Sequence, residues 1–143
     1  MAQRKDQILD VAARVFSERG YKGASMQNLA EGLGILRGSI YAHIASKEDL
    51  LFDIVDSGAD RFIFRLGQVT GSAPMKLRAA FTAHIETIAE HLEASTVFLN
   101  DWRFLSADRK RIIETKRRAY EKMIEDIIEE GIAQRHFRSD LDP

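Results

Sequence analysis

Apolar residues recur every three or four positions along the whole chain, and strand-like alternation is scarce. That period predicts helices throughout. Ile8, Leu9, Ala12, Val15 and Phe16 make one stripe on a first helix from about Gln3 to Arg19. Gly20 and Gly23, with Tyr21 between them, end it, because glycine accepts the left-handed cap that stops a helix. Ser25 offers an N-cap oxygen to a second helix, about Met26 to Leu33, whose inner face is Leu29, Ala30 and Leu33. Gly34 breaks it. A third short helix follows from Arg37 to Ile44, with Ile40 and Ile44 one turn apart and facing inward.

Ser46-Lys47-Glu48-Asp49 places a hydroxyl first and a carboxylate three residues later, as a capping box does. A fourth helix runs from there to about Gln68. Thr70-Gly71-Ser72 is the clearest break, and Pro74 suits the first turn of a fifth helix. The expected inner face of that helix is Leu77, Phe81, Ile85, Ile88 and Leu92. A short segment from Thr96 to Leu105 carries Val97, Phe98, Trp102 and Phe104. Ser106 can cap a last long helix to about Gln134, striped by Ile112, Ile113, Tyr120, Met123, Ile124, Ile127 and Ile128. The fold class is therefore all-α. Residues 1–46 form a three-helix head, and residues 47–143 form a helical body joined to it by the long fourth helix.

Composition narrows the class without naming a function. The 143 residues are 45% hydrophobic and 30% charged, the balance of an ordinary globular protein. Cysteine is absent, which excludes disulfides and thiolate metal sites and fits a reducing, cytoplasmic setting. No apolar run approaches the roughly 20 residues that span a bilayer, and no apolar signal segment follows the N-terminus. Net charge is −1, and residues 1–50 hold seven Lys and Arg against six Asp and Glu. A nucleic-acid reader with so small an excess must place its few cations well.

Two short helices joined by a tight glycine turn and packed on a preceding helix make a helix-turn-helix pattern. The second of them would lie in the major groove of duplex DNA. Its inward Ile40 and Ile44 set its tilt, leaving Arg37, Ser39, Tyr41, Ala42 and His43 to face outward. Hydroxyls at Ser39 and Tyr41 can meet phosphate or base edges, and Ala42 can touch a thymine methyl. Arg37 and Lys47 would neutralise phosphates at the two ends of the helix. Ser25, at the start of the second helix, could hold another.

Residues 20–51 resemble the signature of the TetR family of transcriptional repressors. The matching positions are Gly20, Ser25, Leu29, Ala30, Leu33, Gly34, Arg37, Gly38, Ser39, Ile40, Tyr41, His43, Lys47 and Leu50. The resemblance implies an all-helical homodimer, two heads on a palindromic operator, and a small-molecule effector in the body that weakens DNA binding. It implies DNA contact at Ser25, Gln27, Arg37, Gly38, Ser39, Tyr41, Ala42, His43 and Lys47. Three features depart from the family pattern. Leu36 stands where a polar cap commonly begins the recognition helix, forfeiting about 1 kcal/mol. Ile44 replaces a usual aromatic. Family members also continue past the point where this chain ends, with two further helices that pair across the dimer.

In the body, Phe81, Phe98, Trp102 and Phe104 form an aromatic group, readable as core or as the wall of a ligand cavity. Residues 109–118 hold six cations, readable as a solvated face or as an anion-binding rim. The stretch from Asp101 to Tyr120 is similar to family members that respond to acyl-coenzyme A thioesters. The candidate effector pocket is accordingly Phe81, His84, Phe98, Trp102, Arg103, Arg117 and Tyr120. His84 and His91 stand seven apart, about 10 Å along a helix, too far to share one metal ion without a partner between them. No metal or other cofactor is expected, and no nucleophile–base spacing or phosphate-cradling loop suggests an enzyme. The alternative to a DNA-binding regulator is a shortened helical protein that binds ligand, or pairs with a full-length relative, without stable DNA binding of its own.

Overall fold

The computed structural model describes residues 2–140 and residue 143. Among them the chain forms seven α-helices and one 3-10 turn, with no strand. The helices are α1 (Ala2–Gly23), α2 (Met26–Leu33), α3 (Arg37–Ile40), α4 (Lys47–Leu66), α5 (Ala73–Glu90), α6 (Leu92–Asn100) and α7 (Ala107–Ala133), and the 3-10 turn is Trp102–Phe104. Within the described residues no helix is long and apolar enough to cross a membrane. The chain divides into two compact units. One takes the residues up to Gly58 together with His91–Ile113; the other takes Ala59–Glu90 and the residues from Glu114 onward. Residues 2–46 lie wholly in the first unit, while residues 47–143 are shared between the two.

In the first unit α1 packs against α2 and α6, and α2 against α3. Phe16, Leu29, Ala30, Ile40, Leu51, Val55, Val97 and Ile113 are all fully buried. A Cβ on Gly32 would sit 2.7 Å from Val11 Cγ1, so α2 lies closer to α1 than any larger residue permits. Gly20 has φ 70° and ψ 154°, a backbone shape essentially reserved for glycine. It kinks the first helix, and one further turn, closed by Ala24 N–H to the Gly20 carbonyl at 3.1 Å, leads into α2. The sequence pattern ends this helix at Arg19; the structure adds that turn beyond the kink.

Local chemistry sets the limits of α2. Ser25 and Asn28 form a reciprocal capping box at its start. At its end Gly34 adopts φ 66°, and the Ile35 N–H reaches the Ala30 carbonyl at 3.0 Å, the bond of a Schellman motif. Helix α3 is shorter than its pattern predicts. Its α-helical part stops at Ile40, and 3-10 bonds from Ala42 to Ser39 and from His43 to Ile40 carry the turn onward. Leu36 gives it no side-chain cap, Gly38 lies inside it, and so few residues cannot sustain a full helical ladder.

The second unit centres on Leu66, Ala80 and Ile127, against which Val69, Leu77, Tyr120, Met123 and Ile124 pack. Here one expected face is corrected. Helix α5 buries Ala73, Ala80 and Thr87, seven residues apart, and leaves Phe81 and Ile85 66% and 63% exposed. Each of those two lies about 100° round the helix from Ala80 and His84, and so points away from the core. The small residues win because they let the helix approach closely. The expected fifth helix also ends sooner, at Glu90, so Leu92 belongs to α6. The Lys76 ammonium bonds Glu130 at 2.7 Å and ties the start of α5 to the end of α7.

Candidate nucleic-acid interface

The nine residues expected to touch DNA all lie in the first unit. Arg37, Gly38, Ser39, Tyr41, Ala42 and His43 are exposed along α3 and the turn after it, while Ile40 is completely buried and anchors them. This is the inside–outside split that the sequence pattern predicts. Gly38 is informative: an added Cβ would meet nothing within 4 Å, and its φ is not in the left-handed region. No steric reason inside the protein calls for glycine there, yet a helical glycine costs about 1 kcal/mol relative to alanine. The absence of a side chain leaves the outer surface of α3 flat at that point.

Ser25 and Gln27 are exposed at the start of α2. The Ser25 hydroxyl accepts from the Asn28 N–H at 3.1 Å and donates to Asn28 Oδ1 at 2.8 Å, so it first serves its own helix. Gln27 donates to Glu31 Oε1 at 2.8 Å. Lys47 differs from the other eight. It is half-buried, its ammonium donates to the carbonyls of Tyr21 and Ala24 at 2.7 and 2.8 Å, and it stands 4.3 Å from the Tyr21 ring centre. Burial holds its pKa below the usual lysine value. Two of its three N–H donors are thus engaged within the protein.

The recognition segment is braced unevenly. On the side of α2 it rests on fully buried Ile40. Behind Ala42–Ala45 an open hollow of about 560 Å³ is lined by Ile8, Leu9, Ile44 and Leu50, with the Lys5–Asp53 ion pair (2.9 Å) beside it. Ile44 is only half-buried there, and an aromatic ring at that position would fill more of the space.

Around the base of the head, residues far apart in the sequence come together. The Tyr21 ring stacks on Phe104 at 5.9 Å and meets Phe16 edge-on at 5.5 Å. Asp101 is buried among these elements; desolvation raises its pKa, and the Tyr21 backbone N–H partly offsets that rise. Arg109 pairs with Asp49 and lies 3.7 Å from Glu48. The Ser106 N–H bonds Glu48 at 2.9 Å and is the main reason that carboxyl titrates below its ordinary value; for Asp49 the main reason is Arg109.

The expected pocket residues are distributed over both units. Phe98, Trp102 and Arg103 belong to the first. Phe98 is buried beside Gly58, where an added Cβ would lie 3.5 Å from its ring, and exposed Arg103 stands 5.3 Å from the Phe104 ring centre. Phe81, His84, Arg117 and Tyr120 belong to the second. His84 Nδ1 and the Tyr120 hydroxyl share a 2.8 Å hydrogen bond, and the Phe62 ring lies 5.0 Å from the imidazole. Burial raises the Tyr120 pKa, so the phenol stays protonated at neutral pH. Phe81 points to solvent and does not join them. His91 does not share a helix with His84, because α5 ends at Glu90 and His91 precedes α6. Among the described residues no three His, Cys, Asp or Glu side chains cluster as a metal site would require.

Residues 8–54 match the model of the bacterial regulatory proteins of the tetR family, and residues 70–143 match that of the tetracyclin repressor-like C-terminal domain. The chain is 36% identical over 146 residues to the HTH-type transcriptional repressor KstR2 of Mycolicibacterium smegmatis, covering 99% of this chain and 71% of that protein. The structure of the ketosteroid transcriptional regulator KstR2 of Mycobacterium tuberculosis superposes with a TM-score of 0.91 at 31% identity, over 97% of this chain and 73% of that one. AibR, in complex with isovaleryl coenzyme A and operator DNA, superposes with a TM-score of 0.84 at 28% identity, over 92% and 73%.

Proposed function

Since this chain belongs to the TetR family of bacterial regulatory proteins, we propose that it is a transcriptional repressor whose head, residues 1–46, seats α3 in the major groove of a palindromic operator. The observation that carries the reading is the outward row Arg37, Gly38, Ser39, Tyr41, Ala42 and His43 above one buried anchor, Ile40. In the groove, Arg37 meets phosphate at the start of the helix, and flat Gly38 lets the backbone approach the duplex. Ser39, Tyr41 and His43 offer hydrogen-bonding groups, and Ala42 an apolar contact. Ser25 and Gln27 face the adjoining phosphates from the start of α2, while Lys47 has one N–H left for a phosphate after holding Tyr21 and Ala24.

The body, residues 47–143, carries effector binding and self-association as a homodimer acting in the cytoplasm. The proposed effector is an acyl-coenzyme A thioester, the ligand class present with operator DNA in the AibR complex. In the second unit the His84–Tyr120 pair beside Phe62 supplies polar donors against an apolar wall, the combination a small-molecule site uses. A gel shift with the DNA flanking its own gene tests the reading. Binding should weaken steeply with salt, fail for the Arg37→Ala/Tyr41→Ala double variant, and be relieved by isovaleryl coenzyme A. Salt-independent binding, or full retention by that variant, overturns it.

A further inference from the structure

Residues 101–109 grip the reading head at two joints, and the gripping residues lie outside the helix-turn-helix. At the first joint Phe104 stacks on the Tyr21 ring at 5.9 Å just past the Gly20 kink, and buried Asp101 faces the Tyr21 backbone N–H, which draws its raised pKa back down. Tyr21 is also the residue whose carbonyl and ring hold Lys47 at the start of α4. At the second joint the first turns of α4 and α7 bind each other. Glu48 accepts the Ser106 N–H at 2.9 Å, and Arg109 pairs with Glu48 and Asp49 while covering the Phe52 ring at 5.1 Å. Asp49 in turn shares two hydrogen bonds with Ser46 at the foot of α4. The recognition segment hangs between these joints, since residues 21 and 49 bracket α2 and α3. An open hollow lies behind its Ala42–Ala45 end.

We propose that Asp101 and Arg109 are positioning residues for DNA recognition, holding both ends of residues 21–49 in the posture that lets α3 enter the groove. The proposal rests on the DNA-binding function argued above. It makes residues 101–109 the place from which operator affinity can be changed without altering any group that touches DNA. The carboxylate and guanidinium act through Tyr21, Glu48 and Asp49. The phosphate contacts are left as they are.

The test compares the full chain with Arg109→Gln, Arg109→Lys, Asp101→Ala, Asp101→Asn and Arg37→Ala. Affinity is measured across a salt series for a duplex from upstream of its own gene and for a scrambled duplex. Arg109→Gln and Asp101→Ala should each bind the upstream duplex about tenfold more weakly, the size of effect a coupling residue exerts. Their binding to scrambled DNA, and their slope of log affinity on log salt, should stay at the wild-type values, because no phosphate contact is lost. Arg37→Ala should instead flatten that slope by about one. Arg109→Lys keeps the charge and should recover part of the affinity; Asp101→Asn keeps an acceptor for Tyr21 and should recover most of it. Amide exchange at Tyr21 and Ser106 should quicken in the two disruptive variants while the buried α4 amides at Leu51 and Val55 stay protected.

Opened joints with unchanged DNA affinity overturn the proposal. So does a flattened salt slope in Arg109→Gln, which would make Arg109 a phosphate contact. Exchange that quickens throughout α4 would make the two residues general supports of the fold and overturn it as well. A wild-type protein that binds no duplex removes the repressor reading and this inference together. A wild-type protein that binds while the variants match it removes this inference alone.

Discussion

The Lys47 ammonium donates to the Tyr21 carbonyl at 2.7 Å and lies over the ring of that same tyrosine at 4.3 Å. One lysine thus holds both the backbone and the side chain of the residue that links α1 to the helix-turn-helix. A cation placed so serves the fold before it serves DNA. Lys47→Met should lower both stability and affinity, by about 1–3 kcal/mol for stability, because two carbonyls lose a charged donor. Arg37→Ala, in an exposed position, should lower affinity and leave the thermal midpoint within about a degree or two. Urea melts of the two variants beside a salt series of DNA binding make the check. Equal stability in Lys47→Met and wild type would count against the strut.

Gly38 sets stability against function. Open space surrounds its missing Cβ, so Gly38→Ala should stabilise α3 by about 0.5–1 kcal/mol. The same methyl would project toward the duplex and weaken operator binding roughly tenfold. Thermal unfolding and a binding titration on one sample read both effects. Undiminished affinity would mean that the duplex does not approach α3 at that residue.

Ile44 borders the hollow beside Ile8, Leu9 and Leu50. Ile44→Phe should fill part of that space and raise stability by about 0.5–2 kcal/mol, the usual gain for filling a cavity. Chemical denaturation measures it. A loss instead would show that the space closes on its own and that the larger ring overpacks it.

Acid should loosen the base of the head in a direction that the ion pairs fix. Hydrogen bonds from Ser106 and from Arg109 hold the Glu48 and Asp49 pKa values below normal. A depressed folded-state value gives stability that is present above the unfolded pKa and lost as pH falls through the folded one. Asp101 works the other way. Burial raises its pKa, so its protonation on acidification relieves a cost and blunts part of the loss. Stability should therefore fall from about pH 5 downward, where carboxylates begin to protonate. In Arg109→Gln that fall should be shallower, because Asp49 then titrates nearer its ordinary value. Urea midpoints between about pH 7 and pH 3.5 test this. An identical pH slope in wild type and variant would remove Arg109 as the cause.

Much of this protein is written in its local sequence. The capping box of Ser25 and Asn28, the left-handed Gly34 and the helical period place α2 where the pattern predicts it, residue for residue. The split between buried Ile40 and its exposed neighbours follows from the same period. Such signals act over three or four residues, so one segment contains all the physics that determines them. The face of α5 and the grip of Asp101 and Arg109 on the head are of another kind. Phe81 and Ile85 are the larger apolar residues, yet Ala80 and Thr87 are buried, because how closely one helix may approach another depends on the partner helix as well. Arg109 is one of six cations in a short run, and nothing nearby marks it as the one that meets Asp49, 60 residues away in the chain. Period and capping decided which segments are helices and which side of α3 faces out. Only the packing of those helices, which brings distant charges within reach, decided which groups hold the reading head in place.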